Sequence, residues 1–470
     1  MTGIRSSVGW NAVSLGGTQG VRVITSLILA GMIGRENFGI AGLAAVYVGF
    51  AVVFVGVGLD LVLVQRKDLR DEHIGAATRL AAFTGVTIWL ITMLVAPTLG
   101  DVFRTPELVN VLYFVSIAVL VRSAVVVPMG LLMRRQDFAS IAKAEVSGTV
   151  IGATVGLISA TIEPSYWAVV QQLVVSECCI MAGLVLRERG YVWRTTRNAM
   201  REVWAFGAKL LWANVASFAA GNSDNMIIGR QLGPAALGEY SLAYRAVSFP
   251  QQIIGQVAAR TVIPIFSRLQ DDPPAIADLY YRVSRVICIV VIAPLTIVAL
   301  AADPLVTGVL GDEWASAVPP LQWLCAASIL RLTFGNGGNV LVAMGRANVF
   351  LVWRWATTVL AIVGFVIGAQ WGTAGVAASG VVLGLPVAYV GIRIVGTGIP
   401  VTPAGMLARL ALPITGAASI LAVWGMLAWV GVDLWLVQAA AATAVYLAII
   451  GTSADVRREI TDFVAGSSRT

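Results

Sequence analysis

Charge is what this chain has least of. Only 12% of its 470 residues are Asp, Glu, Lys or Arg, against about 25% in soluble domains. Histidine occurs once, as His73, and cysteine four times, as Cys178, Cys179, Cys288 and Cys325. All four cysteines lie inside apolar runs without metal-ligand spacing, so they read as packing residues rather than disulfide or metal partners. His73 falls in a charged loop with no second histidine to form a metal or acid–base pair, so no metal site and no catalytic residue are expected. A GxxxxGK[ST] phosphate loop is absent, which argues against ATP hydrolysis by this chain. No connecting segment exceeds about twenty residues, which leaves no room for a soluble catalytic domain. No cofactor is implied. The first apolar span runs past the length of a signal-peptide core, so no cleavable leader is expected.

What the chain has is apolar length. It is 58% hydrophobic, with a mean hydropathy of +0.84. About fourteen spans are marked by hydropathy, near 10–33, 40–64, 76–99, 108–133, 140–161, 166–186, 205–229, 239–266, 284–310, 317–344, 349–369, 373–392, 407–430 and 434–452. Each is near the ~20 residues that cross ~30 Å of hydrocarbon. The loops between them alternate in charge. One set carries Arg66, Lys67, Arg70, Arg134, Arg135, Arg187, Arg189, Arg194, Arg197, Arg201, Arg268, Arg282, Arg346, Arg393, Arg457 and Arg458. The other carries Arg35, Arg104 and Arg230 against Glu36, Asp101, Glu107, Glu163, Glu239, Asp312, Glu313 and Asp433. The positive-inside rule puts the first set and both termini in the cytoplasm, which implies a multi-pass protein of the cell (inner) membrane. The net charge of +7 is scattered between spans; it suits anionic headgroups or an anionic substrate and gives nucleic acid no patch to bind.

An internal repeat organises these spans. Ile33-Gly34-Arg35 recurs as Ile228-Gly229-Arg230, 195 residues on, and at that offset Gln19 falls on Asn214. With a four-residue insertion, Gly39 and Leu43 fall on Gly238 and Leu242. Pro97, Leu99, Gly100 and Asp101 resemble Pro304, Leu310, Gly311 and Asp312, and Arg122 then corresponds roughly to Arg331. The fold class expected is an all-α integral membrane protein of two six-helix lobes, related by a pseudo-two-fold along the membrane normal, plus two C-terminal helices. The expected divisions are 1–203, 204–400, 401–452 for the two additional helices, and a cytoplasmic tail over 453–470.

The segment from Phe206 to Arg245 combines this repeat with an unusual polar face. Asn214, Ser217, Gly221, Asp224 and Asn225 share one side of a helix. An acid in hydrocarbon costs roughly 2.5–3.5 kcal/mol on insertion scales, so Asp224 must face protein or water. Other charges within spans one to twelve include Arg22, Asp60, Arg122, Glu145, Glu177, Arg245, Arg260, Arg331 and Arg354. Glu145 and Arg354 lie near span ends, where a side chain reaches the interface. Arginine stays protonated, and here it outnumbers acid. A surplus of fixed cations suits an anion from outside, whereas Arg–Asp pairs pinning helices would need equal numbers. Arg22, Arg122, Asp224, Arg245, Arg260 and Arg331 are therefore candidate lining residues of a cationic cavity. Asp224, Asn214 and Asn225 are alternative candidates for a proton or Na⁺ site. Pro128, Gly130, Pro250, Pro264, Pro294, Pro386 and the Gly335–Asn339 run mark positions of kinking or of close helix packing.

Four stretches, GLDLVLVQRKDL (58–69), NSDNMIIGRQLGPAALGEYSLAYR (222–245), VIPIFSRLQDDP (262–273) and VLGDEWASAVPPLQWL (309–324), carry a family likeness. Over roughly residues 5–400 the chain resembles the Wzx-type lipopolysaccharide and exopolysaccharide flippases of the multidrug/oligosaccharidyl-lipid/polysaccharide exporter superfamily. The resemblance implies two six-helix lobes around a central cavity, alternating access, and a polyprenyl-diphosphate-linked oligosaccharide as substrate. It implies membrane lipids, a glycan polymerase or other assembly proteins as further partners. Leu29 stands where the second half has Asp224, so any role of that acid would be asymmetric. Two alternatives stay open: a cation-coupled drug exporter of the same superfamily, and a membrane scaffold or polymerase component of glycan assembly.

Overall fold

A computed structural model describes residues 2–56, 58–66, 68–257, 265–266, 269, 272–432 and 434–452. The regular elements among the described residues are helical, with no strand. Such an outcome is expected where water is absent, because a helix pairs its own peptide groups. The chain forms two compact units, Met1–Leu242 and Ala243–Thr470. Nine helical stretches among the described residues are long and apolar enough to cross a membrane. Two of these, Gly16–Gly56 with 41 residues and Asn348–Val395 with 48, exceed the length of one crossing.

The first unit begins with α1 (Thr2–Gly56), which holds the spans expected at 10–33 and most of 40–64. At Gly34, with φ 75° and ψ 165°, the backbone leaves the helical region, so two helices meet there across a sharp turn. A left-handed Gly58 (φ 66°) then starts the short α2 (Leu59–Gln65). The helices α3 (Asp71–Phe103), α4 (Glu107–Arg134), α5 (Phe138–Ile162) and α6 (Trp167–Arg187) follow the expected spans closely. Next come α7 (Arg197–Gln231) and α8 (Pro234–Val257). The repeat suggested a division at 203/204. As a packing unit, however, the first body continues through α7, which lies against α1, α2 and α3.

His73 departs from expectation. It sits in the first turn of α3, not in a loop, and is 1% exposed. Its Nδ1 accepts the Arg70 amide at 3.2 Å, so the ring closes the helix start as a cap. Nearby, Arg134 donates to the carbonyls of Leu63 (2.9 Å) and Arg66 (2.6 Å), satisfying oxygens freed where α2 ends.

The second unit contains α9 (Pro273–Leu300), α10 (Ala302–Leu310), a 3₁₀ turn at Asp312–Ala317, α11 (Val318–Phe334), α12 (Gly337–Ala343), α13 (Ala347–Gly368), α14 (Gly372–Val395), α15 (Pro403–Trp429) and α16 (Trp435–Thr452). The span expected at 317–344 is broken at Gly335-Asn336, where α11 gives way to α12. The two C-terminal helices dock on α9: Tyr446 donates to the Ile289 carbonyl at 2.8 Å, and the Thr402 amide donates to Tyr281 Oη at 2.9 Å. Cys288 and Cys325 are buried free thiols, and Cys178 and Cys179 are half-buried free thiols.

Small residues set the α5–α6 contact. A Cβ on Gly148 would stand 2.9 Å from the Ile180 backbone nitrogen, on Gly152 2.7 Å from the Gln172 carbonyl oxygen, and on Gly156 2.9 Å from the Ala168 carbonyl oxygen. Glycine every fourth residue lets two backbones meet where the hydrophobic effect offers no drive. Gly152→Val should therefore destabilise the protein by about 1–3 kcal/mol, the usual cost of overpacking. Thermal unfolding in detergent checks this. Gly425→Val, whose Cβ position is open, should leave the midpoint nearly unchanged.

Candidate functional site

The polar segment of α7 is held at both ends. Thr196 caps its start by accepting the Ala199 amide at 3.3 Å. At its end the chain turns through Leu232 and Gly233 (φ 88°), and Pro234 opens α8. Proline suits that first helical position because its missing amide has no partner to lose. The turn folds α8 back so that Tyr240 reaches α7, where its hydroxyl donates to Asp224 Oδ2 at 2.8 Å. Asp224 Oδ1 accepts the Asn225 amide at 2.8 Å.

The polar face anticipated on α7 is divided by burial. Asn214, Ser217 and Gly221 are exposed, whereas Asp224 and Asn225 are both 6% exposed. Among the described residues, Asn225 Oδ1 and the neighbouring Ser223 hydroxyl are buried without a hydrogen-bond partner. Such atoms cost free energy unless a partner arrives.

The candidate arginines differ in setting. Arg22, on the first half of α1, is exposed. Arg122, on α4, lies with its Nη1 3.4 Å from Glu177 on α6, and both side chains stay partly exposed, at 33% and 21%. In the second unit Arg245 is half-buried on α8 and Arg331 is exposed in the last turn of α11. Arg260 lies outside the described residues. The Arg122–Glu177 pair is the arginine–acid pairing that the charge count left open, whereas Asp224 is met by a tyrosine. Nothing in the composition marked Tyr240 as the partner. Its only signal was the turn at Gly233, which brings a residue one helix on against the acid.

Among the described residues, the first unit holds a cavity and a crevice. A cavity of about 350 Å³ is walled by apolar side chains, among them Leu43, Phe50, Phe54, Phe103, Phe218 and Met226. A crevice of about 690 Å³ is lined by Trp10, Ser140, Lys143, Val146, Val150 and Arg187, with Lys143 Nζ 5.8 Å from the Trp10 ring. None of Arg22, Arg122, Asp224 and Asn225 lines either one. The charge cluster around Arg66 and Asp137 is internally compensated. The Arg66 guanidinium, which hydrogen-bonds Glu202, holds that carboxyl below its usual range. The Ser140 hydroxyl, its amide and Arg187 hold the Asp137 carboxyl low as it caps α5.

The fold defines a class first. The chain superposes on the lipid II flippase MurJ in an inward closed conformation with a TM-score of 0.74 at 10% identity, covering 94% of this chain and 98% of that one. An inward-facing MATE family multidrug resistance transporter gives 0.63 at 13% identity, covering 83% and 98%. At these identities the likeness is one of fold. Sequence then makes the assignment narrower. The polysaccharide biosynthesis protein family model matches residues 28–319, and the chain belongs to that family. Its relatives include the teichuronic acid biosynthesis protein TuaB of Bacillus subtilis, 25% identical over 77% of this chain and 75% of the relative. The lipopolysaccharide biosynthesis protein WzxC of Escherichia coli is 24% identical over 78% and 75%. The succinoglycan biosynthesis transport protein ExoT of Rhizobium meliloti is 26% identical over 74% and 71%.

The Asp224–Tyr240 bond joins α7 to α8 in a buried setting, so removing the hydroxyl leaves a carboxylate oxygen short of a donor. Tyr240→Phe should destabilise the protein by about 1–3 kcal/mol, read as a lower unfolding midpoint. Adding Asp224→Leu, the residue type at the repeat position Leu29, should recover part of that loss, since the buried carboxylate is then removed as well.

Proposed function

We propose that this protein is a flippase that moves a polyprenyl-diphosphate-linked oligosaccharide from the inner to the outer leaflet of the cell membrane during polysaccharide biosynthesis. The observation that carries this reading is the similarity to relatives named for lipopolysaccharide biosynthesis and for transport, over about three quarters of their lengths and of this chain. The likeness in fold to a lipid II flippase supports it. Both termini would lie in the cytoplasm, as the loop charges require. Partners would be the lipid-linked oligosaccharide, the surrounding lipids, and a glycan polymerase or other assembly proteins.

The physical task is to carry a diphosphate and its sugars past hydrocarbon while the polyprenyl tail stays in it. Arg22, Arg122, Arg245, Arg260 and Arg331 would supply cations to the diphosphate, through charge-assisted and often bidentate hydrogen bonds. The exposure of Arg22 and Arg331 supports such a role. Arg122 would exchange its Glu177 contact for substrate, an exchange that the 3.4 Å separation and partial exposure favour. Alternating access would then release the headgroup outward. Export of negative charge from a cell negative inside is favoured by ~2.3 kcal/mol per charge per 100 mV, so net movement needs no coupled ion. Where an ion is coupled, Asp224 and Asn225 would hold it. Asn214 lies ten residues earlier on α7, about 15 Å along a helix, too far to share the same ion.

Replacing Arg22, Arg122, Arg245 or Arg331 by Ala, in cells whose polymer depends on this protein, should abolish surface polymer. Lipid-linked precursor should accumulate facing the cytoplasm while the membrane level of the variant holds. Normal polymer in all four variants would contradict the cationic lining.

A further inference from the structure

The repeat and the structure together locate a seal. The turn glycines Gly34 and Gly233 both take positive φ, 75° and 88°, and lie 199 residues apart. Gly39 and Gly238 lie the same 199 residues apart. The second copy therefore carries one extra helical turn before its turn glycine, and Gly229, matched to Gly34 by the Ile-Gly-Arg motif, is an ordinary buried helical residue.

At that 199-residue register the two copies touch each other reciprocally. A Cβ on Gly39 would stand 1.7 Å from the Pro234 carbonyl oxygen, and one on Gly238 would stand 2.0 Å from the Arg35 carbonyl oxygen. Arg35 and Pro234 are themselves repeat mates. The same imagined carbons would lie 3.0 Å from the Gly238 nitrogen and 3.1 Å from the Gly39 nitrogen. A contact in which residue i meets j's partner and j meets i's partner is the signature of a local two-fold passing between them. The crossing is dry: Phe38, Ile40, Leu237 and Leu43 around it are 1%, 4%, 0% and 5% exposed.

One feature of this crossing breaks the symmetry. Arg35 Nη1 donates to Glu239 Oε1 at 2.8 Å, with the carboxylate side chain 9% exposed and the guanidinium 46% exposed. Their repeat mates, Pro234 and Ile40, have no such pair to make. A single clasp thus lies over a crossing of bare backbones. Removing one partner of a buried ion pair strands the other charge and loosens the element it holds.

We propose that the Gly39–Gly238 crossing, latched by Arg35–Glu239, is the outer closure of the transport path, and that it parts in each cycle. It stands about one and a half turns from the Gly34 and Gly233 turns, which loop charge places outside. Backbone meets backbone there with no side chain between, so no headgroup passes while it is shut. The latch joins one exposed and one buried charge, so water reaches it from one side.

The proposal rests on the transport reading, and one assay separates the two. Arg35→Cys/Glu239→Cys protein, in proteoliposomes with labelled polyprenyl-diphosphate oligosaccharide, is bridged by a short bis-thiol reagent carrying a reducible link. Bridging should stop delivery to the opposite leaflet, and reduction should restore it to the unbridged level. Delivery that continues through fully bridged protein would overturn the seal, whereas no delivery by the unsubstituted protein would overturn the transport reading itself. A second readout does not depend on turnover. With Ser241→Cys as reporter, Gly39→Ala, Gly238→Ala and Glu239→Gln should each raise labelling by an outside, membrane-impermeant maleimide. Labelling equal to that of the reporter alone in all three would also overturn the proposal.

Discussion

In hydrocarbon a peptide group left unpaired has no water to turn to, and this constraint shapes everything else in the chain. It makes the described elements helical. Gly34, Gly58, Gly233 and the Gly335-Asn336 break are among the places where the helix rule is relaxed. It also decides how helices meet. With lipid as apolar as leucine, close approach of backbones through glycine replaces the hydrophobic drive of a soluble core. The α5–α6 contact and the Gly39–Gly238 crossing are two uses of that device. One joins neighbours in sequence, and the other joins residues far apart along the chain.

Charge is placed against the same background. Near helix ends, acids and arginines compensate one another, as at Arg66–Glu202 and Arg187–Asp137. Within the spans the balance tips toward arginine. Asp224 is taken up by Tyr240 and Arg122 by Glu177, while Arg22 and Arg331 remain exposed. A membrane protein keeps exposed arginine at such positions at a cost.

Much of this was legible in the sequence, because apolar runs and loop charge are written locally. The limits of α3 to α6 lie within a few residues of the marked spans. The Gly335–Asn339 run loosens its span as its composition suggests. What was not legible depends on partners distant along the chain. His73 looked like a loop residue because its neighbours are charged; those neighbours are the first turn of α3, and the ring is folded under it. The Ile-Gly-Arg motif pointed to Gly229 as the mate of Gly34, whereas backbone conformation selects Gly233, one turn on. Motif identity and structural role separate there because an inserted turn preserves the helix face while moving its end. Tyr240 could not be read as the partner of Asp224 without the turn that brings it back.

The most direct test of the account is movement of the proposed cargo by the purified, unsubstituted protein. Proteoliposomes would carry a labelled polyprenyl-diphosphate oligosaccharide in one leaflet, with an imposed K⁺ diffusion potential and no Na⁺ or pH gradient. The account predicts protein-dependent appearance of the label in the other leaflet, faster when the receiving side is positive. Label that stays in place with well-folded protein, across several glycans, would contradict it.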